Sequence, residues 1–258
     1  MSRLPPVLMY HHVELLPLDP PPVYADSYLA RDDFARQLDR LRGWGLRTMT
    51  FGEACAAAER NESPGRRVVL TFDDACDCFA RHAAPELLAR GMTATVFAVS
   101  GSLGGTNFWD AGAGERREQL LDAGGLVALA AQGFEIASHS RFHGDLPRLA
   151  DGAQEEELAG SRRDLETALG TAVTTFCYPY GHLDGRAREH ARASGYAGAA
   201  SIHGQPLATP HDPLALARMI VGPHEGKLEL WLKARGFYPA WSRLPRLGLL
   251  RALGGRRR

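Results

Sequence analysis

Short apolar runs recur along the chain, separated by stretches with helical spacing of apolar residues. Val7 to Tyr10, Leu46 to Met49, Val68 to Phe72, Thr93 to Val99, Phe134 to Ala137, Val173 to Tyr178, Tyr196 to Ala200 and Arg218 to Val221 are the runs. Their shortness and their β-branched or aromatic content favour strand over helix. Between them, Asp32 to Leu41 carries Phe34, Leu38 and Leu41 on one helical face, with Gly43 placed to close it. Thr50 and Glu53 have capping-box spacing ahead of an Ala-rich helix through Glu59. Cys78 to Arg90, Leu126 to Ala131 and Asp151 to Leu169 each run into a glycine, at Gly91, Gly133 and Gly170. Arg186 to Ala193 and Leu228 to Ala234 complete the helical set. Strand and helix alternate, so the pattern predicts parallel βα units in an α/β fold. No second composition regime interrupts it, which gives one domain over residues 1–240 and a basic tail over 241–258.

Composition narrows the partners. Formal net charge is zero over 258 residues, so no global field favours nucleic acid or an anionic surface. No apolar run reaches the ~20 residues that span a bilayer. The start, Met1 to Pro6, has no apolar core or small-residue cleavage site of a signal peptide, and a cytoplasmic location is the expectation. The tail from Arg243 to Arg258 carries six arginines among leucines. It reads as a solvated terminus, with contact to a membrane surface or partner as the alternative. Four cysteines are too few for a disulfide scaffold. Cys76 and Cys78 have no second thiol pair at zinc-finger spacing, so all four read as packing residues.

Candidate chemistry gathers where the runs end. His11-His12 follows the first, Asp73-Asp74 the third, His139 and then His143 the fifth, and Pro179-Tyr180-Gly181 the sixth. In a parallel barrel or doubly wound sheet the carboxyl ends of the strands open on one face, where active sites lie. One Asp of the pair taken alone would cap the next helix, and a lone histidine is usually a satisfied one. Together, one carboxylate and two imidazoles make a metal set with coordination positions left open, as catalysis needs. The second Asp then stands ready to take a proton from a metal-activated water. The loop from Gly101 to Gly114 holds five glycines and Trp109, which reads either as a lid of the core or as a ligand platform.

These stretches resemble the polysaccharide deacetylases, the NodB-homology group also called carbohydrate esterase family 4. Thr71-Phe72-Asp73-Asp74-Ala75 is similar to the family's T-F-D-D-[GA] motif, Ser138-His139-Ser140-Arg141-Phe142-His143 to its H-[ST]-x-x-x-H motif, and Tyr178-Pro179-Tyr180-Gly181 to the end of R-x-P-Y-G. The resemblance spans roughly Val7 to Val221. It implies a distorted (β/α) barrel of about seven parallel strands. It also implies a general base at Asp73 and a divalent metal on Asp74, His139 and His143, usually Zn2+, with Co2+, Ni2+ or Mn2+ as relatives accept. Tyr180, beside Pro179, would supply an oxyanion donor through its backbone N–H. The implied reaction removes N-acetyl groups from an amino sugar in a carbohydrate substrate.

The chain departs from the pattern in three places. Cys177 stands where many relatives have the arginine that orients the catalytic Asp, which leaves open how Asp73 is held. Neither of the late motifs, one with an Asp and one of the form L-x-H, is clear; His224 is a poor match to the second. An exopolysaccharide-type subgroup begins with a similar Tyr-His segment, and by that resemblance His11 becomes the candidate general acid. Arg218 could reach the site or the substrate, or form a rim salt bridge. Among rivals, a glycosyltransferase would want Asp-x-Asp spacing and would leave the histidine pair idle. A serine hydrolase would want a G-x-S-x-G elbow, which is missing. A glycan-binding relative without activity, and an amide hydrolase or deformylase acting on a lipid-linked sugar or other small amide, remain as alternatives.

Overall fold

The computed structural model describes residues 4–202 and 212–237; the basic tail named above lies outside the described residues. At its centre is β5 (Arg67–Phe72), paired along one edge with β1 (Val7–Tyr10) and along the other with β4 (Arg47–Met49) and then β6 (Thr95–Ala98). The sheet continues through β7 (Glu135–Ser138), β8 (Thr175–Cys177) and β9 (Gly198–Ser201) to β10 (Leu216–Ala217). One residue later, β11 (Met219–Ile220) pairs with β1. A single pass of chain therefore joins the last strand to the first. Arg218 sits at the changeover; its N–H donates to the Ser201 carbonyl (2.8 Å), and the Val221 N–H donates to Met9 (2.9 Å). Every ladder is parallel, and the result is the expected α/β barrel, nearly closed and distorted, with all carboxyl ends on one rim.

The period-two alternation of β5 divides two environments. Val68, Leu70 and Phe72 face the helices and join Phe34 and Leu38 of α1 (Arg31–Gly43) in the larger core. Val69 faces the barrel interior with Val7, Phe97, Ala137, Cys177, Ala200 and Leu216. Thr71 and then Asp73 follow Val69 on that inner side. The small residues Ala137, Cys177 and Ala200 leave room there for longer side chains from the rim.

Most elements match the sequence pattern, and the differences have local causes. The capping box at Thr50 and Glu53 is formed and starts α2 (Phe51–Glu59). Gly43 stays within α1; the turn that ends it falls at Gly45, which has φ +71°. The stretch from Asp151 to Leu169 is α5 (Asp151–Glu155) and α6 (Ser161–Leu169), joined by one wide π turn at Glu156–Gly160. The final strand begins earlier than Arg218 and splits around it. The segment around the Pro-rich loop hides a small parallel pair, β2 (His12–Glu14) with β3 (Tyr28–Ala30), whose three-residue strands are too short for a periodicity signal.

At the amino end of the barrel, Glu135 ties three strands and a helix. Its carboxylate accepts from Thr95 Oγ1 of β6 (2.7 Å), Thr175 Oγ1 of β8 (2.6 Å) and the Gly52 N–H at the start of α2 (2.9 Å). Removing it orphans these donors at the end of the barrel away from the rim. Glu135→Ala should lower unfolding stability by about 2 kcal/mol or more, the scale of hydrogen bonds to a charged group, with activity at 25 °C retained. Urea denaturation measures it; a loss under ~0.5 kcal/mol would show the tie to be idle.

Candidate active site

Three of the segments that carry candidate residues reach the rim through backbone turns that L-residues rarely make. Of the six non-glycine residues with positive φ among the described residues, five flank strand ends here: Asp74, Ala75, Ser140, His143 and Tyr180. Such conformations cost of order 1–3 kcal/mol each and persist where surrounding contacts over-determine them. The Asp73 N–H still donates to the Tyr10 carbonyl (3.2 Å), extending the strand, and the chain turns at Asp74. His139 likewise extends β7 through its N–H to the Ala98 carbonyl (2.8 Å). The His139–His143 stretch is a loop rather than a helical turn.

Asp74, His139 and His143 converge, with one ligand atom of each within 4.8 Å of the others. Asp74 Oδ1 lies 3.5 Å from His139 Nε2 and 3.6 Å from His143 Nε2. With metal bonds of about 2.0–2.2 Å, N and O ligands of a tetrahedral zinc centre stand about 3.4 Å apart. His139 Nδ1 donates to the Cys177 carbonyl (2.8 Å), which leaves the Nε2 lone pair turned to the set. Asp74 Oδ1 and His143 Nδ1 are buried and have no hydrogen-bond partner among the described residues. Burial, then the charges of Asp73 and Asp110, push the Asp74 carboxyl well above its ordinary range. Burial pushes His139 down to about 4 and His143 well below its usual value. A divalent cation supplies the missing positive charge, so these residues fit the metal that the motifs imply.

Asp73 is held differently. Burial alone would raise its pKa, but the Arg218 guanidinium outweighs burial and keeps the carboxyl below the usual carboxylate range. The pair is bidentate: Arg218 Nη1 donates to Oδ1 (2.6 Å) and Nη2 to Oδ2 (2.7 Å). Arg218 Nη1 also reaches Thr71 Oγ1 (3.2 Å), Nη2 lies 2.9 Å from Cys177 Sγ, and the guanidinium sits over the Phe97 ring. Arg218 therefore reaches the site, as one of the expected alternatives had it, but as the buried partner of Asp73 and not as a rim salt bridge or a lining residue of the cleft. It holds Asp73 from inside the barrel, and Cys177 leaves it the space. The arginine missing at position 177 is thus replaced from the junction of β10 and β11, 41 residues on.

The remaining candidates wall one open cleft. His11, Asp73, Asp74, Trp109, His139, His143 and Tyr180 line it. His11 Nε2 is 3.9 Å from Asp73 Oδ2. Trp109 lies flat on His143, with centroids 4.6 Å apart and planes at 16°, so the loop from Gly101 reaches into the site. The Tyr180 ring meets the same His143 in a T-shaped arrangement, with centroids 4.6 Å apart and planes at 79°. Pro179 is buried and lies outside the lining, so its part is to shape the turn at Tyr180. His224 also stays outside it. Sequence reading missed Glu157, which accepts from the Arg141 and Phe142 N–H groups (both 2.9 Å) and pins the histidine loop. It lies in the wide turn between α5 and α6, so helical periodicity places it on no particular face.

Arg218→Met should cost about 3–5 kcal/mol of stability, because it leaves an ionised carboxylate buried without its partner. Adding Asp73→Asn should recover a large part of that loss. Denaturant titration of the four-member cycle measures it, and strictly additive effects would contradict the pairing.

Comparison with known proteins agrees with the motifs. The family profile described as polysaccharide deacetylase matches residues 60–199, just over half of the chain. The Bacillus subtilis protein YxkH, named for the same family, is 26% identical over 193 residues; the match covers 74% of this chain and 62% of that protein's length. Among solved structures, the Streptococcus pyogenes deacetylase PplD, in complex with acetate, superposes with a TM-score of 0.75 at 21% identity, over 90% of this chain and 99% of its own. IcaB from Ammonifex degensii gives 0.72 at 24% identity, over 91% and 99%. These structures share the fold, and the profile spans the strand that ends in Asp73-Asp74 and the His139–His143 loop. The chain belongs to the polysaccharide deacetylase family.

Proposed function

We propose that the protein is a metal-dependent hydrolase that removes N-acetyl groups from an amino sugar in a poly- or oligosaccharide. The observation that carries this reading is the split between two adjacent buried carboxylates. One is locked to Arg218, and the other faces two imidazoles with no countercharge of its own. A divalent ion on Asp74, His139 and His143, most simply Zn2+, supplies Lewis acidity toward the acetamide carbonyl and an acidified water. The chain's own groups do the rest. Arg218 keeps Asp73 ionised, so Asp73 can accept the water's proton. Asp73 Oδ2, 3.9 Å from His11 and 4.0 Å from His139, is the oxygen assigned to that transfer. Burial, helped by the Arg218 charge, holds the His11 imidazole below its usual pKa and so neutral, with the Asp73 carboxylate opposing the shift only in part. His11, with Nε2 3.9 Å from Asp73 Oδ2, is assigned to take over the proton that Asp73 received from the water and to pass it to the departing nitrogen. The Tyr180 backbone N–H is assigned to the developing oxyanion. Trp109, Tyr24 and Tyr28 line the cleft, and aromatic faces suit the apolar faces of sugar rings.

The test is acetate release from an N-acetylglucosamine oligomer. Chelation should abolish it and added Zn2+ restore it. Asp73→Asn should lower turnover about 10²–10⁴-fold, the usual worth of a general base, with metal content unchanged. His11→Ala should lower turnover with metal content intact; unchanged turnover would remove His11 from the mechanism. Acetate release insensitive to chelation, or none from the zinc-loaded protein, would overturn the reading. Formate release from an N-formyl amino sugar, with no acetate from the oligomer, would identify an N-formyl substrate instead.

A further inference from the structure

A second donor cluster has no task in the reaction above. His12 opens β2, and Cys76 and Cys78 lie just beyond Asp74. One ligand atom from each of the three lies within 4.8 Å of the others, and Cys78 Sγ is 3.7 Å from His12 Nδ1. With Zn–S near 2.3 Å and Zn–N near 2.0 Å, sulfur and nitrogen ligands of a tetrahedral centre stand about 3.6 Å apart. All three residues are buried: Cys78 is 0%, Cys76 1% and His12 7% exposed. The surroundings fix them. The Tyr28 ring stacks on His12 at 4.3 Å, and the cysteine segment is held by Asp77 N–H to Gln119 (2.8 Å) and Leu121 N–H to Ala75 (2.9 Å). Sequence spacing shows only the C-x-C pair. The third donor comes from 64 positions earlier, which is why thiol spacing alone points to packing.

We propose that His12, Cys76 and Cys78 form a thiolate site for a thiophilic d10 cation, Zn2+ or Cu+, separate from the Asp74, His139 and His143 set. Soft sulfur donors with one imidazole select such ions. Loading makes two metal–sulfur bonds and one metal–nitrogen bond and releases the two thiol protons to solvent, with no change of oxidation state. A fourth position remains for water. The ion braces β2 against the segment after β5. His11 directly precedes one ligand and Asp74 lies two residues before the first of the others, so both pocket walls are tied to it. A third grouping, Asp73 with His139 and Cys177, is already served by the Arg218 cation and takes no part.

The test uses the reduced, metal-free full chain titrated with Co2+ without oxygen. A thiolate-to-cobalt charge-transfer band should grow in the near ultraviolet and saturate at one equivalent. It should persist in His139→Ala and Cys177→Ser and vanish in Cys78→Ser, with circular dichroism unchanged. Zinc binding should fall from two ions per chain to one in the Cys76→Ser/Cys78→Ser protein. Competition between Zn2+ and Cu+ for the site then names the cation. The wild-type spectrum needs no variant: cobalt bound with no thiolate band would overturn the proposal. So would a band that survives Cys78→Ser and disappears with Cys177→Ser. Acetate release is not the readout, so the site stands or falls apart from the proposed reaction.

Discussion

Two carboxylates on consecutive residues are buried at the mouth of one strand, and the rim is built around the cost of placing them there. Desolvation and mutual repulsion push both toward protonation. The fold treats them oppositely. Asp73, on the inward register of β5, meets a bidentate guanidinium. Asp74, one residue later on a left-handed turn, meets two imidazole nitrogens that cannot neutralise it while they are uncharged. Environments that drive neighbouring titratable groups apart are how one site assigns a proton acceptor and a metal ligand.

That division depends on barrel closure. Arg218 can reach Asp73 because the chain changes partner from β9 to β1 at that residue, at a level where Ala137, Cys177 and Ala200 keep the interior open. Packing, closure and electrostatics at the rim are thus one problem with one solution. The outer parts follow. Trp109 lies against His143, Glu157 holds the histidine loop by two N–H groups, and Gly101 lies where a Cβ would meet the Phe142 ring at 2.4 Å. The loops of the site are thus packed on one another.

Much of this was legible in the chain. Strand ends carrying Asp73-Asp74 and His139 stand out because a parallel barrel sends every carboxyl end to one face, and the structure brings these residues together. What stayed hidden depends on distance along the chain. Arg218 was legible as a residue that could reach the site, but its partner was not, since nothing local marks a carboxylate 145 positions away. Glu157 lies in a π turn that breaks the helical phase. The β2–β3 pair is too short for alternation to register. Cys177 was legible as a departure, yet its meaning required the guanidinium beside it.

The most direct measurement is anomalous diffraction at the zinc edge from crystals grown with Zn2+. It should show an ion about 2.0–2.2 Å from an Asp74 oxygen and from one nitrogen each of His139 and His143, with Asp73 still on Arg218. No ion at these three residues, or an ion on Asp73 with Arg218 displaced, would contradict the division of labour between the two carboxylates.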